Sequence, residues 1–354
     1  MTKAKPLKPK FPPARTRSLT DGMMGQKKYD FRKSFYCPKF TMGASCSAGS
    51  RSPESMYADA FAEGVDGVEW KEERHVFRES ISSDESELSY FALNLTNYRN
   101  VVTWKPKDNA IKVKGVVLIC HGVLAHTLCH QKEAVAFVKA GYAVYGMDHV
   151  GHGVSSGDRG RIDSYEELVD DYITFANSMV ALHPSNTPVI LYGHSLGAMI
   201  TCLSTRNITN VKGIILTGVP YKVGPGTASL FGCRCLYPLS QLSFISKLGA
   251  CLAVIDPKGP TAPLYIEECT SSPEQLALIK LDPRRCHMWT MNATATTALN
   301  MVDQLKYTDI LNTIKLPVYQ VHGADDQIGL LDGAIELFTK IGTISQNKTL
   351  KIKI

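Results

Sequence analysis

The chain has 354 residues, of which 44% are hydrophobic and 20% are charged, as in a globular protein with one large domain. No uninterrupted apolar run approaches the length of about 18 residues that a membrane-spanning helix needs. Residues 1–40 carry eleven Lys/Arg against two Asp/Glu, whereas the net charge of the whole chain is only +6. The remaining residues therefore have a slightly negative net charge and give no reason to expect nucleic-acid binding.

Residues 1 to about 85 (1–85) are predicted to form a disordered tail, basic at first and acidic later. Lysines and prolines crowd its start, GASCSAGSRSPES is rich in serine and glycine, and SISSDESE is acidic. Such segments bury too little apolar surface to offset their ordering entropy. A basic arm for anionic membrane surfaces is the alternative interpretation, whereas the prolines oppose the amphipathic helix of a transit peptide.

The start of the chain has no apolar core of a secretory signal, which bears on its ten cysteines. Cysteines without such a signal indicate reduced thiols, so a cytoplasmic protein is expected. Cys233 and Cys235 form a C-x-C pair, and no second pair stands at the spacing of a zinc site. No metal site is therefore predicted.

From about residue 89, short apolar runs alternate with amphipathic ones. The runs predicted to be strands are KGVVLICHG, YAVYGMDHV, TPVILYGHS, VKGIILTG and LPVYQVHGADD. AVAFVKAG has helical spacing, and Ser164 with Glu167 forms a capping box ahead of an apolar helix face. Alternating β and α units with almost wholly apolar strands predict an α/β fold, with a mostly parallel sheet covered by helices on both faces.

This alternation stops between about residues 219 and 303, which divides the predicted core into residues 86–218 and 304–354. The insertion (219–303) contains a helix-like segment with many apolar residues and almost no charge. A mobile apolar lid over a site is the functional interpretation, and a packed helical subdomain is the alternative. An exposed apolar lid would also provide a surface for peripheral contact with a membrane.

The stretch LYGHSLGAM places Ser195 between Gly193 and Gly197 in the pattern G-x-S-x-G. In this pattern the serine occupies a sharp turn between a strand and a helix, and the two glycines let the turn close. A β-rich run precedes Ser195 and a helical run follows it, as that turn requires. We predict that Ser195 is a nucleophile and that the N–H of Leu196 stabilises the oxyanion.

The second oxyanion donor is expected in CHGVLAH, after an earlier strand. Gly122 permits the turn, and the N–H of Val123 would then face the carbonyl of the substrate. His121 and His126 could be structural or could line the site, and a structural role is favoured for His121.

The catalytic acid is expected after a later strand, where HGADD offers Asp325 and Asp326. Asp326 is preferred because it lies three residues beyond Gly323. The alternative is that both carboxylates only solvate a turn.

The motifs GYAVYGMDHVGHGVSSGDRGRIDSYEELVDDY, LYGHSLGAM and VHGADD together resemble the monoacylglycerol lipases and related lysophospholipase-like α/β-hydrolases of the serine aminopeptidase S33 type. The resemblance covers about residues 85–354. It implies a sheet of about eight strands with an inserted helical lid. It also implies cofactor-free hydrolysis of a monoacylglycerol or similar single-chain lipid ester at a membrane surface.

When the motifs of the family are matched to this sequence, the resemblance implies that Ser195 is the nucleophile and Asp326 the acid. It also implies that the N–H groups of Val123 and Leu196 are the oxyanion donors. One departure is visible: the family's H-G-x-x-E-H has Ala125 where glutamate is usual. This change removes a carboxylate near the entrance, but the oxyanion donors are backbone groups and remain.

A histidine base should follow the acid in this fold, yet every histidine of the chain precedes Asp326. The ten are His75, His121, His126, His130, His149, His152, His183, His194, His287 and His322. The resemblance expects the base on a loop after a final strand, for which KTLKIKI is the candidate. On this reading the histidine loop and the last helix are absent from residues 1–354.

Three explanations are considered for the absent base. The chain is an incomplete form of an active enzyme, or a non-catalytic relative that binds lipids or scaffolds a partner, or another histidine substitutes. Without a base, the 354 residues are expected to be nearly inactive, because the oxyanion donors and substrate binding alone give only about 10³–10⁴ over water.

Overall fold

A computed structural model of the chain describes residues 67–75, 98–108, 110–225, 251, 254–263, 265–286 and 289–353. All of these belong to one compact unit, Pro53–Ile354. The other unit, Met1–Ser52, lies outside the described residues, together with the predicted basic part of the tail.

The strands, in chain order, are β1 (Val68–His75), β2 (Arg99–Pro106), β3 (Gly115–Cys120), β4 (Tyr142–Met147), β5 (Val189–His194), β6 (Val211–Thr217), β7 (Pro260–Pro263), β8 (Trp289–Met291), β9 (Val318–Gly323) and β10 (Lys348–Lys353). Eight of them form one sheet in the order β1-β2-β4-β3-β5-β6-β9-β10. The pairs β1–β2 and β2–β4 are antiparallel, and the other neighbours are parallel. The predicted α/β fold with about eight mostly parallel strands is confirmed.

The helices are α1 (Gln131–Lys139), α2 (Tyr165–Val180), α3 (Leu196–Ser204), α4 (Pro273–Leu281), α5 (Asn292–Tyr307), α6 (Ile310–Thr313) and α7 (Leu331–Lys340). The capping box predicted ahead of α2 is present on its serine side, since Ser164 Oγ accepts a hydrogen bond from the N–H of Glu167 at 3.1 Å. That bond satisfies one of the amides that a helix start leaves without a partner.

Apolar side chains cover both faces of the sheet, because successive residues of a buried strand point to opposite sides. On β3, Val116 and Leu118 pack into a core with α2, α3 and α5. Val117 and Ile119 pack into a second core with α1. All six residues of β3 are buried, which accounts for its uninterrupted apolar sequence.

The central strands end at the same edge of the sheet. Cys120 of β3 pairs with Gly193 of β5, and His194 pairs with Thr217 of β6. Thr217 in turn pairs with Val321 of β9. In an open parallel sheet the loops beyond the carboxyl ends of the strands form the usual binding site, so the predicted site residues lie at the expected edge.

The prediction of disorder as far as residue 85 is wrong for Val68–His75, which forms the edge strand β1. The charged composition of this strand indicated a tail, because only Val68 and Trp70 pack against the core and all the other residues except His75 are charged. The Arg284 guanidinium lies 2.6 Å from the Glu72 carboxylate and ties the strand to the loop after α4.

The predicted insertion, residues 219–303, is described only in part. Its described part contains α4 and the antiparallel pair of β7 and β8, while the apolar helix-like segment lies outside the described residues. Helix α5 runs across the predicted boundary at residue 303, and its Met301, Val302 and Leu305 belong to the main core. A lid role for the insertion stays a prediction.

None of the helices within the described residues is both long and apolar enough to span a bilayer.

Candidate active site

Ser195 occupies a strained turn between β5 and α3. Its backbone has φ 53° and ψ −122°, a conformation that side-chain-bearing residues rarely adopt. The turn is held on both sides, because the Ser195 N–H donates to the Thr217 carbonyl at 2.9 Å and the Ser195 carbonyl accepts from the Ala198 N–H at 2.9 Å. This is the strand–turn–helix geometry that the sequence pattern predicts.

The two glycines of the pattern are required by close backbone contacts. A Cβ atom at Gly193 would lie 2.5 Å from the carbonyl oxygen of Gly197. A Cβ atom at Gly197 would overlap the carbonyl oxygen of Cys120 at the end of β3. The small residues therefore let α3 start directly against the neighbouring strand, which fixes the position of Ser195.

The turn after β3 lies against Ser195, as predicted for an oxyanion loop. A Cβ atom at Gly122 would lie 2.9 Å from Ser195 Cβ, and Leu124 has a positive φ of 57°. Within the described part of the chain, the N–H groups of Val123 and Leu196 donate to no backbone carbonyl outside regular secondary structure. Backbone N–H groups next to a serine that have no such partner are suited to bind a developing oxyanion.

Asp326 lies beyond the end of β9, close to the same edge. Its Oδ1 accepts hydrogen bonds from the N–H groups of Ile328 (2.8 Å) and Gly329 (2.9 Å), which fix the carboxylate. Its Oδ2 would lie 3.9 Å from a Cβ at Gly218, the residue that follows β6. Asp325 is exposed. The geometry therefore favours Asp326 over Asp325 as the acid, in agreement with the sequence preference.

Within the described residues, no side chain hydrogen-bonds the Ser195 hydroxyl. His194 Nδ1 is 2.9 Å from Thr217 Oγ1, and burial lowers the pKa of this imidazole to about 4. His322 is buried, and its Nε2–H donates to the Gly329 carbonyl at 2.6 Å, although Asp326 Oδ2 is 3.5 Å away. His287 lies outside the described residues. No described histidine bridges serine and acid.

A cluster of three buried imidazoles, those of His121, His149 and His152, packs against the turn after β3, residues 121–124, which is called the oxyanion turn below. The His121 Nδ1–H donates to the Gly122 carbonyl at 2.8 Å, and its Nε2 accepts from the His149 N–H at 2.9 Å. The ring of His149 is 4.0 Å from that of His121, and the ring of His152 is 5.7 Å from it. These contacts support the structural interpretation of His121.

Sequence reasoning missed the part that Asp148 plays in this support. The buried carboxylate accepts hydrogen bonds from the Thr127 N–H (2.8 Å), the Asn100 side-chain amide (2.9 Å) and the Val154 N–H (3.1 Å). Three donors compensate the cost of burying the charge. A Cβ at Gly153 would overlap this carboxylate, which explains the glycine in DHVGHG. The motif was visible, but its hydrogen-bond partners are far away in sequence.

The buried imidazoles predict a specific sensitivity to acid. Burial, the largest cause, lowers the pKa of His149 to about 3 and that of His152 to about 4. Unfolding releases them to an ordinary value of about 6.5, so the unfolded state binds more protons below that pH, and stability is lost as pH falls. Each group is expected to reduce the unfolding free energy by roughly 2 kcal/mol at pH 5.

The measurement is urea unfolding at pH 7.5 and pH 5 for the wild type and His152→Gln. The variant should lose about 2 kcal/mol less than the wild type over this interval. Equal losses would show that His152 is protonated in the folded protein or does not contribute.

The comparisons agree with this architecture. The family described as serine aminopeptidase, S33, matches residues 111–353. The chain is 26% identical over 250 residues to the monoacylglycerol lipase of Mycolicibacterium smegmatis, covering 70% of this chain and 81% of that protein. It is also 26% identical over 250 residues to the monoglyceride lipase of Rattus norvegicus, covering 70% and 76%.

Among solved structures, a soluble variant of monoglyceride lipase from Saccharomyces cerevisiae in complex with a substrate analog superimposes with a TM-score of 0.58. The match is 20% identical in sequence and covers 72% of this chain and 81% of the other, so it supports the fold alone. From the family match, the motifs and the sheet order, the chain belongs to the serine aminopeptidase S33 family and is a monoacylglycerol-lipase-like α/β-hydrolase.

Proposed function

We propose that the protein is a serine ester hydrolase built to form an acyl-enzyme on Ser195. The observation that carries the proposal is the strained backbone of Ser195, in a strand–turn–helix geometry against which the turn after β3 packs. Ser195 Oγ would attack the ester carbonyl carbon, the hydroxyl proton would pass to a base, and the N–H groups of Val123 and Leu196 would bind the oxyanion. This chemistry uses no metal and no cofactor.

Asp326 would serve as the acid that orients the base. Two backbone amides hold its Oδ1, so the carboxylate does not need to reorganise during reaction. Its Oδ2 side faces Gly218, at the end of the strand next to β5. An imidazole placed between this oxygen and Ser195 would complete the serine–histidine–aspartate arrangement.

The proposed substrate is a monoacylglycerol or a similar ester with a single acyl chain. The names of both sequence relatives support this class. Peripheral membrane contact through the insertion fits such a substrate, because the consecutive apolar residues Val254 and Ile255 are 84% and 79% exposed. The cytoplasmic location stays a prediction that rests on the cysteines.

The base is the part of the proposal that residues 1–354 do not supply, since no histidine follows Asp326. We therefore propose that these 354 residues turn over esters slowly. The second candidate function is a lipid-binding or scaffolding relative without turnover, and it applies if no described or undescribed histidine activates Ser195. The two candidates differ in whether an added base allows Ser195, together with Asp326, to hydrolyse an ester.

The experiment supplies that base as free imidazole, at up to about 100 mM, during hydrolysis of a monoacylglycerol. A positioned general base contributes about 10²–10⁴ in rate, and a mobile one should recover part of this, at least about tenfold. The increase should vanish in Ser195→Ala and should shrink in Asp326→Asn, because the amide cannot orient the imidazole. Asp325→Asn is the matched control and should keep the full increase.

An increase that is equal in Ser195→Ala would mean that imidazole reacts with the ester directly. If no imidazole-dependent increase occurs while a monoacylglycerol ether analogue still binds, the non-catalytic candidate is favoured.

A further inference from the structure

A second group of reactive side chains is formed by His126, Cys129 and Asp282. His126 precedes the short helical turn Thr127–His130, Cys129 lies within that turn, and Asp282 directly follows α4. His126 Nε2 lies 2.6 Å from Asp282 Oδ2, and both side chains are buried. The Cys129 sulfur lies within 4.8 Å of the nearby ligand atoms of both residues.

The order of groups is thiol, imidazole, carboxylate. The His126 Nε2–H donates to Asp282, while its Nδ1 is buried without a hydrogen-bond partner among the described residues. Cys129 is of intermediate exposure, between the buried Cys120 and Cys202 and the exposed Cys251 and Cys269. A histidine that is oriented by a carboxylate and adjoins a thiol is an arrangement that activates a sulfur nucleophile.

The charges of the cluster favour a thiolate. Burial alone would raise the pKa of the Cys129 thiol, but the charges of His126 and Arg285 outweigh it and lower that pKa. Burial likewise opposes the His126 cation, but Cys129 and the hydrogen bond with Asp282 raise its pKa to about 10. The Arg285 Nε lies 3.7 Å from Asp282 Oδ2, so a second cation adjoins the same carboxylate.

The distance between His126 Nε2 and Asp282 Oδ2 is too short for two ligands of one metal ion and suits a hydrogen bond. Two ligands held at about 2.1 Å in a tetrahedral site lie about 3.4 Å from each other. The separation of 2.6 Å between His126 Nε2 and Asp282 Oδ2 is instead that of a charge-assisted hydrogen bond. The pair is therefore already joined by a proton.

We propose that Cys129 is a modification site, a thiolate that hydroperoxides oxidise to a sulfenic acid. The thiolate sulfur attacks one peroxide oxygen, so the S–O bond forms as the O–O bond breaks. The leaving hydroxide or alkoxide takes a proton from the His126 imidazolium and departs as water or alcohol. Sulfur loses two electrons, which the peroxide gains, and Asp282 holds the imidazole in place throughout.

The site is coupled to the oxyanion turn through the backbone. The Cys286 N–H donates to the Leu124 carbonyl at 3.1 Å, which joins the segment that carries Asp282 to the residue after Val123. Oxidation replaces the thiolate with a neutral sulfenic acid and removes the proton of the His126 imidazolium, so the ion pair between the two side chains is lost. The modification would therefore weaken the contacts that hold this turn.

The test treats the folded 354-residue protein with hydrogen peroxide at pH 7, traps sulfenic acid with dimedone, and measures labelling at each cysteine by peptide mass spectrometry. Cys251 and Cys269 are more exposed than Cys129 and control for access, while the buried Cys202 controls for unfolding. Cys129 should react at least about tenfold faster than either exposed cysteine. This readout does not depend on ester hydrolysis.

In His126→Asn the Cys129 rate should fall at least about tenfold while the Cys251 rate stays unchanged. If this variant does not fold, Arg285→Gln should still slow Cys129 by roughly threefold. The proposal is overturned if Cys129 reacts no faster than Cys251, or if neither variant slows it. Stoichiometric zinc in the isolated protein that is lost in Cys129→Ser would also overturn it, because the thiolate would then be a metal ligand.

Discussion

Ser195→Ala is expected to change ester hydrolysis by the 354-residue chain by no more than roughly threefold, although Ser195 is the proposed nucleophile. Members of a catalytic triad act as a unit, so losing the serine or the histidine alone costs about 10⁶ in kcat, and losing both costs little more. With no histidine after Asp326, the wild-type chain should already be about 10⁶ slower than a complete triad.

The rates of the wild type and Ser195→Ala on a short-chain ester give this ratio directly. A drop of 10³ or more in the variant would show that one of the ten histidines serves as the base. Single substitutions of His194, His287 and His322 by glutamine would then identify it. His121→Gln is a less suitable control, because that imidazole supports the oxyanion turn.

Gly197→Ala is expected to destabilise the fold by at least about 3 kcal/mol. The added methyl overlaps the backbone carbonyl of Cys120 and would also lie 2.6 Å from that of His121, and neither atom can move without shifting β3. Overpacking a core costs about 1–3 kcal/mol and more where backbone is displaced. Alanine gains at most about 1 kcal/mol of helix propensity over glycine, so the clash dominates.

Gly213→Ala is the matched control. Gly213 lies in β6, and a Cβ there would meet nothing closer than the Pro317 carbonyl oxygen at 3.5 Å. Its free energy of unfolding should stay within about 0.5 kcal/mol of the wild type or rise. Urea unfolding of both variants makes the comparison. Similar losses at the two positions would mean that the turn at Ser195 can relax and that the contacts of Gly197 do not fix its position.

The sequence predicted the central sheet well because its strands are buried on both faces. Uninterrupted apolar runs such as those of β3 and β5 can satisfy no other environment, and the serine turn between β5 and α3 follows from glycine spacing. The same reasoning failed for β1, where only Val68 and Trp70 face the core. An edge strand with a mostly charged sequence resembles a solvated tail until its partner strand is known.

The candidate site also has a part that the sequence predicts and a part that it does not. Ser195 and its neighbours could be predicted because one short segment contains the whole turn. The support behind the oxyanion turn could not, since Asp148 binds Asn100 and Thr127, and His126 binds Asp282 across 156 positions of sequence. Pairings over such separations are decided by how the strands and loops pack, and a local pattern does not encode them.

Ser195 occupies a formed strand–turn–helix geometry, while no histidine follows Asp326 within residues 1–354 and no described histidine bridges the two residues. The decisive measurement is the rate at which a fluorophosphonate phosphonylates Ser195, followed by intact mass and peptide mapping. Labelling is expected to be slow without imidazole, at least about tenfold faster with it, and absent in Ser195→Ala. Rapid labelling of Ser195 without imidazole, at a rate typical of intact serine hydrolases, would contradict this expectation.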